Sequence, residues 1–292
     1  PEDRLRAAMV LAIPFAANIG GIGTPVGTPP NAIAIGQLAG SGIDISFGKW
    51  MVMALPMAVV LVFIAWWLLQ RMFPSETKSI TLKIEGEFER SRDAHILYGV
   101  FILTVVLWMT ESFHGVPSSI IGFLPVVVLL ATGVFKEKDI QNVQWPILWL
   151  IAGGIALGKG IVDSGLDEWV IDLVSWESFG PATIAAVFAV AALVLSTVMS
   201  NSASANLLVP LGISLTMSNV IDLDPLVVGF MIAIAASLAM ALPISTPTNA
   251  VAYSSGLIKT GDMAKTGIII GVIGLILYLV VAPVIWSVLG VV

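Results

Sequence analysis

Cysteine is absent from this 292-residue chain. That removes disulfides, thiolate metal sites and cysteine nucleophiles, and leaves the redox compartment open. Histidine is almost absent too, at two residues, both near loops. With no His-Glu-x-x-His or Gly-x-Gly-Asp string either, the constellation a membrane enzyme would need is missing. Charge is scarce: 11% of residues are charged, against about 25% in soluble proteins. Hydrophobic residues make up 58% and mean hydropathy is +1.00. This excludes a soluble domain and points to an all-α, polytopic membrane protein. The net charge of −6 says little about partners, because the charges sit in short loops; no nucleic-acid partner is expected. No secretory signal pattern opens the chain. It starts without Met about twenty residues before its first motif, as expected of an N-terminally shortened fragment.

What the chain does have is proline placed inside apolar runs. Ser237–Ser255 carries Pro243, Ser245, Thr246, Pro247, Thr248 and Asn249 within a stretch of helix length. Pro243 and Pro247 cannot both sit inside one regular helix, because each lacks an N–H and crowds the preceding turn. Non-helical backbone at membrane depth survives only where it is buried in protein or lines a wet cavity. The same string occurs earlier. Setting Asn31 against Asn249 pairs Pro25 with Pro243, Gly27 with Ser245, Thr28 with Thr246 and Pro29 with Pro247. Paired, proline-interrupted apolar segments in two halves of a chain point to a transporter's midplane site.

In chain order, Leu5–Ile22 precedes the first break, and Ala32–Ala39 forms a second half-helix. Residues 1–49 thus read as the end of a first repeat. Trp50–Phe73 is a full span, with Trp50, Trp66 and Trp67 placed as interfacial aromatics, and it joins a solvated, mixed-charge loop (50–93). The second repeat, 94–292, opens with scaffold helices over 94–180. These comprise spans at Ala94–Thr110, Ser118–Phe135 and Gln144–Ile161, with Lys159 snorkelling to the interface, then an amphipathic surface connector at Asp163–Gly180. His114 beside Glu111 reads as an exposed turn rather than a proton relay. Ile184–Met199 and Leu207–Val220 are each short for a crossing, so 184–220 reads as a re-entrant hairpin tipped by Ser200-Asn201-Ser202. A broken helix (226–260) and a last span (262–286) follow. Lys and Arg placed inside put the 74–93 loop, Lys136/Lys138 and Lys259/Lys265 on one side, though this rule alone does not decide whether the hairpin crosses.

The tip and the breaks supply chemistry through backbone. The last carbonyls of a helix lack partners and carry partial negative charge, and the first N–H groups carry partial positive charge. Hard cations take such oxygens, and anions take such N–H groups. Ser196 lies one turn before Ser200, so both hydroxyls face the first arm's end, while Ser202 or Ser204 would cap the second arm. No Lys or Arg lies between Arg6 and Lys49 or between Lys159 and Lys259. A dianion held there without a fixed cation is costly, and co-bound Na⁺ would supply the missing charge. A channel would also explain broken helices, though not a matched pair of sites.

Ser200-Asn201-Ser202, followed by Ala-Ser-Ala-Asn-Leu-Leu-Val-Pro210, resembles the second Ser-Asn-Thr motif of the divalent anion:sodium symporter (DASS) family. Ala236–Val251 resembles that family's signature, with Pro243, Ile244, Ser245 and Asn249 in place. The similarity runs over the whole chain, including Trp145-Pro-Ile-Leu-Trp-Leu-Ile-Ala-Gly-Gly154. Departures are Ser202 for Thr, Met240 for Phe and Ala252 for Val. The resemblance implies an inverted-repeat transporter with a re-entrant hairpin in each half, working as a homodimer by an elevator motion in the cytoplasmic membrane. It implies Na⁺ as coupling ion, no other cofactor, and succinate, malate, citrate or sulfate as substrate, sometimes by exchange. Arsenite or citrate carriers of similar architecture remain alternatives. By position, sodium would be held by Ser196, Ser200, Asn201, Ser245, Pro247 and, in the first half, Gly27. The anion would meet Ser200, Asn201, Ser202, Thr246, Pro247, Thr28, Asn31 and Asn249. The first Ser-Asn-Thr motif is expected upstream of Pro1.

Overall fold

The computed structural model describes residues 2–75, 88–218 and 222–290. Every regular element among them is helical. Six helices are long and apolar enough to cross a bilayer, namely Arg4–Ile22, Phe47–Met72, Arg92–Met109, Trp145–Asp163, Pro181–Val198 and Thr260–Leu289. The chain is an all-α polytopic membrane protein. Most of the 74–93 loop, at 76–87, and the hairpin's end at 219–221 lie outside the described residues.

Both breaks form where the prolines require them. α1 (Glu2–Ile22) ends before Thr24-Pro25, and α2 (Pro29–Gly40) restarts on a proline pair. Proline suits a first helical position, where its missing N–H has no partner to lose. α3 (Phe47–Met72) follows, N-capped by Ser46, whose side chain accepts from the Lys49 N–H. Trp66 and Trp67 are more than half exposed, as the interfacial reading requires. Trp50 is not: it is fully buried, and its Nε1 donates to the Ile22 carbonyl at 3.1 Å. The correction follows from the break itself, since the open end of α1 offers a carbonyl that an indole N–H can satisfy.

α4 (Arg92–Met109) leads into the short helices α5 (Glu111–His114), α6 (Ser118–Ile121) and α7 (Leu124–Ala131). The expected full span at 118–135 is therefore not one helix. A turn at Gly122-Phe123 divides it, Pro125 sits in the first turn of α7, and Gly133 ends the run at φ 74°. At 1.5 Å per residue its apolar part reaches about 21 Å, short of the roughly 30 Å hydrocarbon core. Glu111 accepts from the Phe47 and Ser118 N–H groups, and His114 bonds the Leu107 carbonyl of α4 and the Val116 N–H, so both tie off a loop.

α8 (Glu137–Gln141), α9 (Trp145–Asp163) and α10 (Leu166–Asp172) come next. Lys159 pairs with Asp163 at 3.3 Å, both well exposed. The connector is not wholly superficial. Asp167 of α10 is buried and accepts from Ser214 of the second hairpin arm, while Trp176 stacks on Phe188.

α11 (Pro181–Val198) and α12 (Asn201–Met217) are the hairpin arms, separated only by Met199 and Ser200. The first arm starts earlier than expected, at Pro181, and its 18 residues are long enough to cross. α13 (Pro225–Ser237), α14 (Pro247–Ser254), α15 (Thr260–Ile276) and α16 (Ala282–Leu289) complete the chain, the last two joined by a π turn at Leu277–Val281. α13 lies at the centre, packed on α11, α12 and α2, with Val228–Met240 buried throughout. Around its Phe230 gather Trp50, Tyr278 and Trp286, at centroid distances of 4.8, 6.2 and 5.3 Å. Tyr278 and Trp286 donate to the carbonyls of Ala54 and Met53, two and three residues before Pro56 of α3. This aromatic bracket, with its polar ends satisfied, fixes α3 and the last span against the broken helix.

Candidate anion and sodium site

Each break is closed by one asparagine. Asn249 Nδ2 donates to the carbonyls of Met240 and Leu242, nine and seven residues upstream, at 2.9 and 3.0 Å. Asn31 Nδ2 reaches Ile22 and Thr24, again nine and seven residues upstream, at 3.4 and 2.8 Å, and also Gly21. Both asparagines are fully buried. The residues that start the second half-helices share one backbone shape, with Thr28 at φ −139°, ψ 148° and Thr246 at φ −141°, ψ 150°. The repeated string therefore encodes a repeated object: unwound backbone whose open carbonyls are gathered by the amide that follows it.

The two differ in what surrounds that object. Thr246 caps α14 by accepting from the Asn249 N–H at 3.2 Å. Thr28 makes no such cap, and its hydroxyl pairs with Ser237 Oγ at the end of α13, 3.0 Å away. Gly21 and Gly27 approach so closely in the first break that a Cβ on Gly21 would lie 2.6 Å from the Gly27 carbonyl oxygen. The second break has room for Ser245 at the position matching Gly27, and Ser245 Oγ donates to the Thr197 carbonyl at 3.3 Å.

The hairpin tip meets the second break directly. The Asn201 N–H donates to the Ser245 carbonyl at 3.2 Å. The cap of α12 is Ser200, whose Oγ accepts from the Ala203 N–H, rather than Ser202 or Ser204. The reason is local: α12 starts at Asn201, leaving Ser202 and Ser204 inside its first turn, both buried. Ser200 is exposed at the tip, and Pro247 is exposed at the start of α14.

Several oxygens here lack partners. Ser196 Oγ and Asn201 Oδ1 are buried and make no hydrogen bond among the described residues. An unsatisfied buried polar atom costs about 1–3 kcal/mol, and two of them flanking the same tip suit a cation that takes oxygen ligands. No group of three or more acidic, histidine or cysteine side chains exists among the described residues to hold a metal, so any cation here would meet neutral oxygens. Backbone N–H groups that could serve an anion lie at the starts of α12 and α14, whereas α2 opens on Pro29 and Pro30, which have none, and its Asn31 and Ala32 N–H groups go to the Thr28 carbonyl.

Asn18 gave no sequence signal. It lies on α1, yet its Nδ2 reaches Thr246 Oγ1 at 3.4 Å and Asn249 Oδ1 at 3.2 Å, and its Oδ1 accepts from Thr248 at 3.0 Å. With Thr28–Ser237, this joins the first broken helix to the second. Gly27, Thr28 and Asn31 therefore belong to one assembly with Thr246 and Asn249, and Ser245 links that assembly to the tip residues Ser200, Asn201 and Ser202.

Residues 2–292 match the family described as the sodium:sulfate symporter transmembrane region. The chain is 32% identical over 318 residues to the sodium-dependent dicarboxylate transporter SdcS of Staphylococcus saprophyticus, covering 97% of this chain and 61% of that protein. It is also 32% identical to the SdcS of Staphylococcus aureus strain USA300, covering 99% of this chain and 61% of that one. The chain thus spans about 61% of the length of these curated relatives.

Proposed function

The chain belongs to the sodium:sulfate symporter family, and from that premise we propose that it forms the larger part of a secondary transporter importing a small dianion together with Na⁺. The substrate proposed is a di- or tricarboxylate such as succinate, malate or citrate, in keeping with the names of its relatives. The observation that carries the reading is the tip-to-break contact from Asn201 to Ser245 with the unpartnered Ser196 and Asn201 oxygens beside it.

In this reading Na⁺ sits among Ser196, Ser200, Asn201 and the carbonyls of Ser245–Pro247, with Gly27 serving the first half. The carboxylates meet Ser200, Asn201, Ser202, Thr246 and Pro247 from one half and Thr28 from the other. Asn31 and Asn249 act on them through the carbonyls they gather. Helix starts favour the anion and carbonyl ends favour the cation. With no Lys or Arg in the segments that build the site, each ion offsets the charge of the other, so neither binds well alone. The glycine-lined face of α9 carries neutral amides against α2 and α12, a boundary suited to the sliding of one body past another. An elevator motion within a homodimer of the cytoplasmic membrane is the movement proposed.

Radiolabelled succinate uptake by the natural protein in proteoliposomes tests this. Uptake is expected to saturate, to follow an inward Na⁺ gradient and to vanish in choline. Asn201→Ala and Thr246→Val should each reduce it more than tenfold without loss of folded protein. Equal uptake in sodium and choline would end the symport reading. Displacement by sulfate but not by malate or citrate would move the substrate from carboxylates to oxyanions.

A further inference from the structure

Four side chains between the broken helices fix one another's hydrogens in sequence. The amide of Asn249 has only one workable orientation, because its Nδ2 is committed to the carbonyls of Met240 and Leu242. Its Oδ1 is therefore an acceptor, and it turns the Nδ2 of Asn18 toward itself at 3.2 Å. The Oδ1 of Asn18 then faces Thr248, whose hydroxyl donates to it at 3.0 Å. With its one hydrogen spent, Thr248 can only accept from Thr246, 2.9 Å away. Thr246 Oγ1 already accepts twice, from the Asn249 N–H at 3.2 Å and from Asn18 Nδ2 at 3.4 Å. A hydroxyl has two lone pairs and one hydrogen. Both lone pairs of Thr246 are occupied, so its hydrogen, held on Thr248 Oγ1, is the one thing it can turn to a ligand.

We propose that Asn18 is a positioning residue that makes the Thr246 hydroxyl a hydrogen-bond donor to the anion and bars that hydroxyl from ligating Na⁺. This rests on the site proposed above. When the anion arrives, the Thr246 hydrogen leaves Thr248 Oγ1 and turns to a carboxylate oxygen, while Asn18 and the Asn249 N–H keep the lone pairs filled. Without the Asn18 amide a lone pair opens, and Thr246 can serve a cation as well as an anion. Asn18, on the first broken helix, thereby sets ion selectivity at a hydroxyl on the second.

Two substitutions have opposite expected effects. Asn18→Ala should raise the succinate concentration for half-maximal uptake at saturating Na⁺ by about tenfold, the size of a lost hydrogen bond to a charged group. Thr248→Val removes the internal competitor for the Thr246 hydrogen and should leave that concentration unchanged or lower it. Neither should raise the Na⁺ concentration for half-maximal uptake at saturating succinate. Asn18→Leu, which keeps the branched shape of the side chain without its polar atoms, should reproduce the alanine result and serves if that variant does not accumulate. The proposal is overturned if Asn18→Ala and Asn18→Leu leave succinate affinity intact. It is overturned equally if Thr248→Val weakens succinate as much as Asn18→Ala does, or if all variants shift Na⁺ and succinate together, as general loosening would. A wild-type protein with no sodium-dependent succinate uptake would instead refute the site reading on which the proposal stands.

Discussion

Asn31 and Asn249 show how one side chain can replace the hydrogen bonds that a break removes. Where a helix stops at membrane depth, its last carbonyls have no water to turn to. An amide two hydrogen bonds wide, anchored on the next helix, satisfies them and sets the width of the gap. In Asn249→Ala the carbonyls of Met240 and Leu242 lose that donor, at about 1–3 kcal/mol each. The purified variant should unfold several degrees lower in detergent, on the scale of about 2–4 °C per kcal/mol. Asn249→Asp should be worse than alanine, because a carboxylate would face those carbonyls with no hydrogen to give. A thermal unfolding series of wild type, Ala and Asp checks the order, and an aspartate variant as stable as wild type would refute the clamp. The matched pair was legible in the sequence, since both asparagines follow Thr-Pro-x. Which atoms they reach was not, because the fold of the break decides which carbonyls lie within range. Trp50 illustrates the same limit. An aromatic at a span's end reads as interfacial, and only the neighbouring open carbonyl of Ile22 shows why it is drawn inside.

At the scale of helices, α9 packs on α12 and α2 through glycine. A Cβ on Gly154 would coincide with the side-chain amide of Asn206 on α12, and one on Gly158 would strike the end of Gln37 on α2. Gln37 Nε2 also donates to the Gly154 and Ile155 carbonyls, at 3.3 Å each. Gly153 and Gly160, on the same helix, have open space where a Cβ would stand, with nothing within 4 Å, which provides an internal control. Gly154→Ala should displace Asn206, lower thermal stability and cut uptake severalfold, while Gly153→Ala and Gly160→Ala change neither. Pairing Gly154→Ala with Asn206→Ala should restore part of the loss, measured on the same preparations, and no recovery would mean the two residues do not share that space. The small residues of 144–161 were legible as a close helix contact. The division of 118–135 into α6 and α7 was less so, because a window of apolar residues averages over the turn at Gly122-Phe123. The length of the first hairpin arm was understated for the converse reason: Pro181 reads as a breaker but serves as a first-turn residue.

For the whole molecule, the question is whether the two breaks open onto one site. Val26 and Ile244 hold matched positions in the repeated strings, and each is 65% exposed. Neither takes part in the asparagine clamps, so cysteine at either place leaves the hydrogen bonds of the break intact. These 292 residues contain no cysteine, so within them a label reports on the introduced thiol alone. If the anion and Na⁺ bind between the breaks, their joint presence should slow modification of Val26→Cys and of Ile244→Cys by a water-soluble maleimide, each by severalfold. Either ion alone should protect less, because the charge of one favours the other. Lys138→Cys, exposed on α8 outside the spans, should react at one rate in every condition. Protection at only one of the two matched positions would place the ligands at one broken helix, and the shared assembly built by Asn18, Thr28, Ser237 and Thr246 would then be scaffolding rather than a binding site.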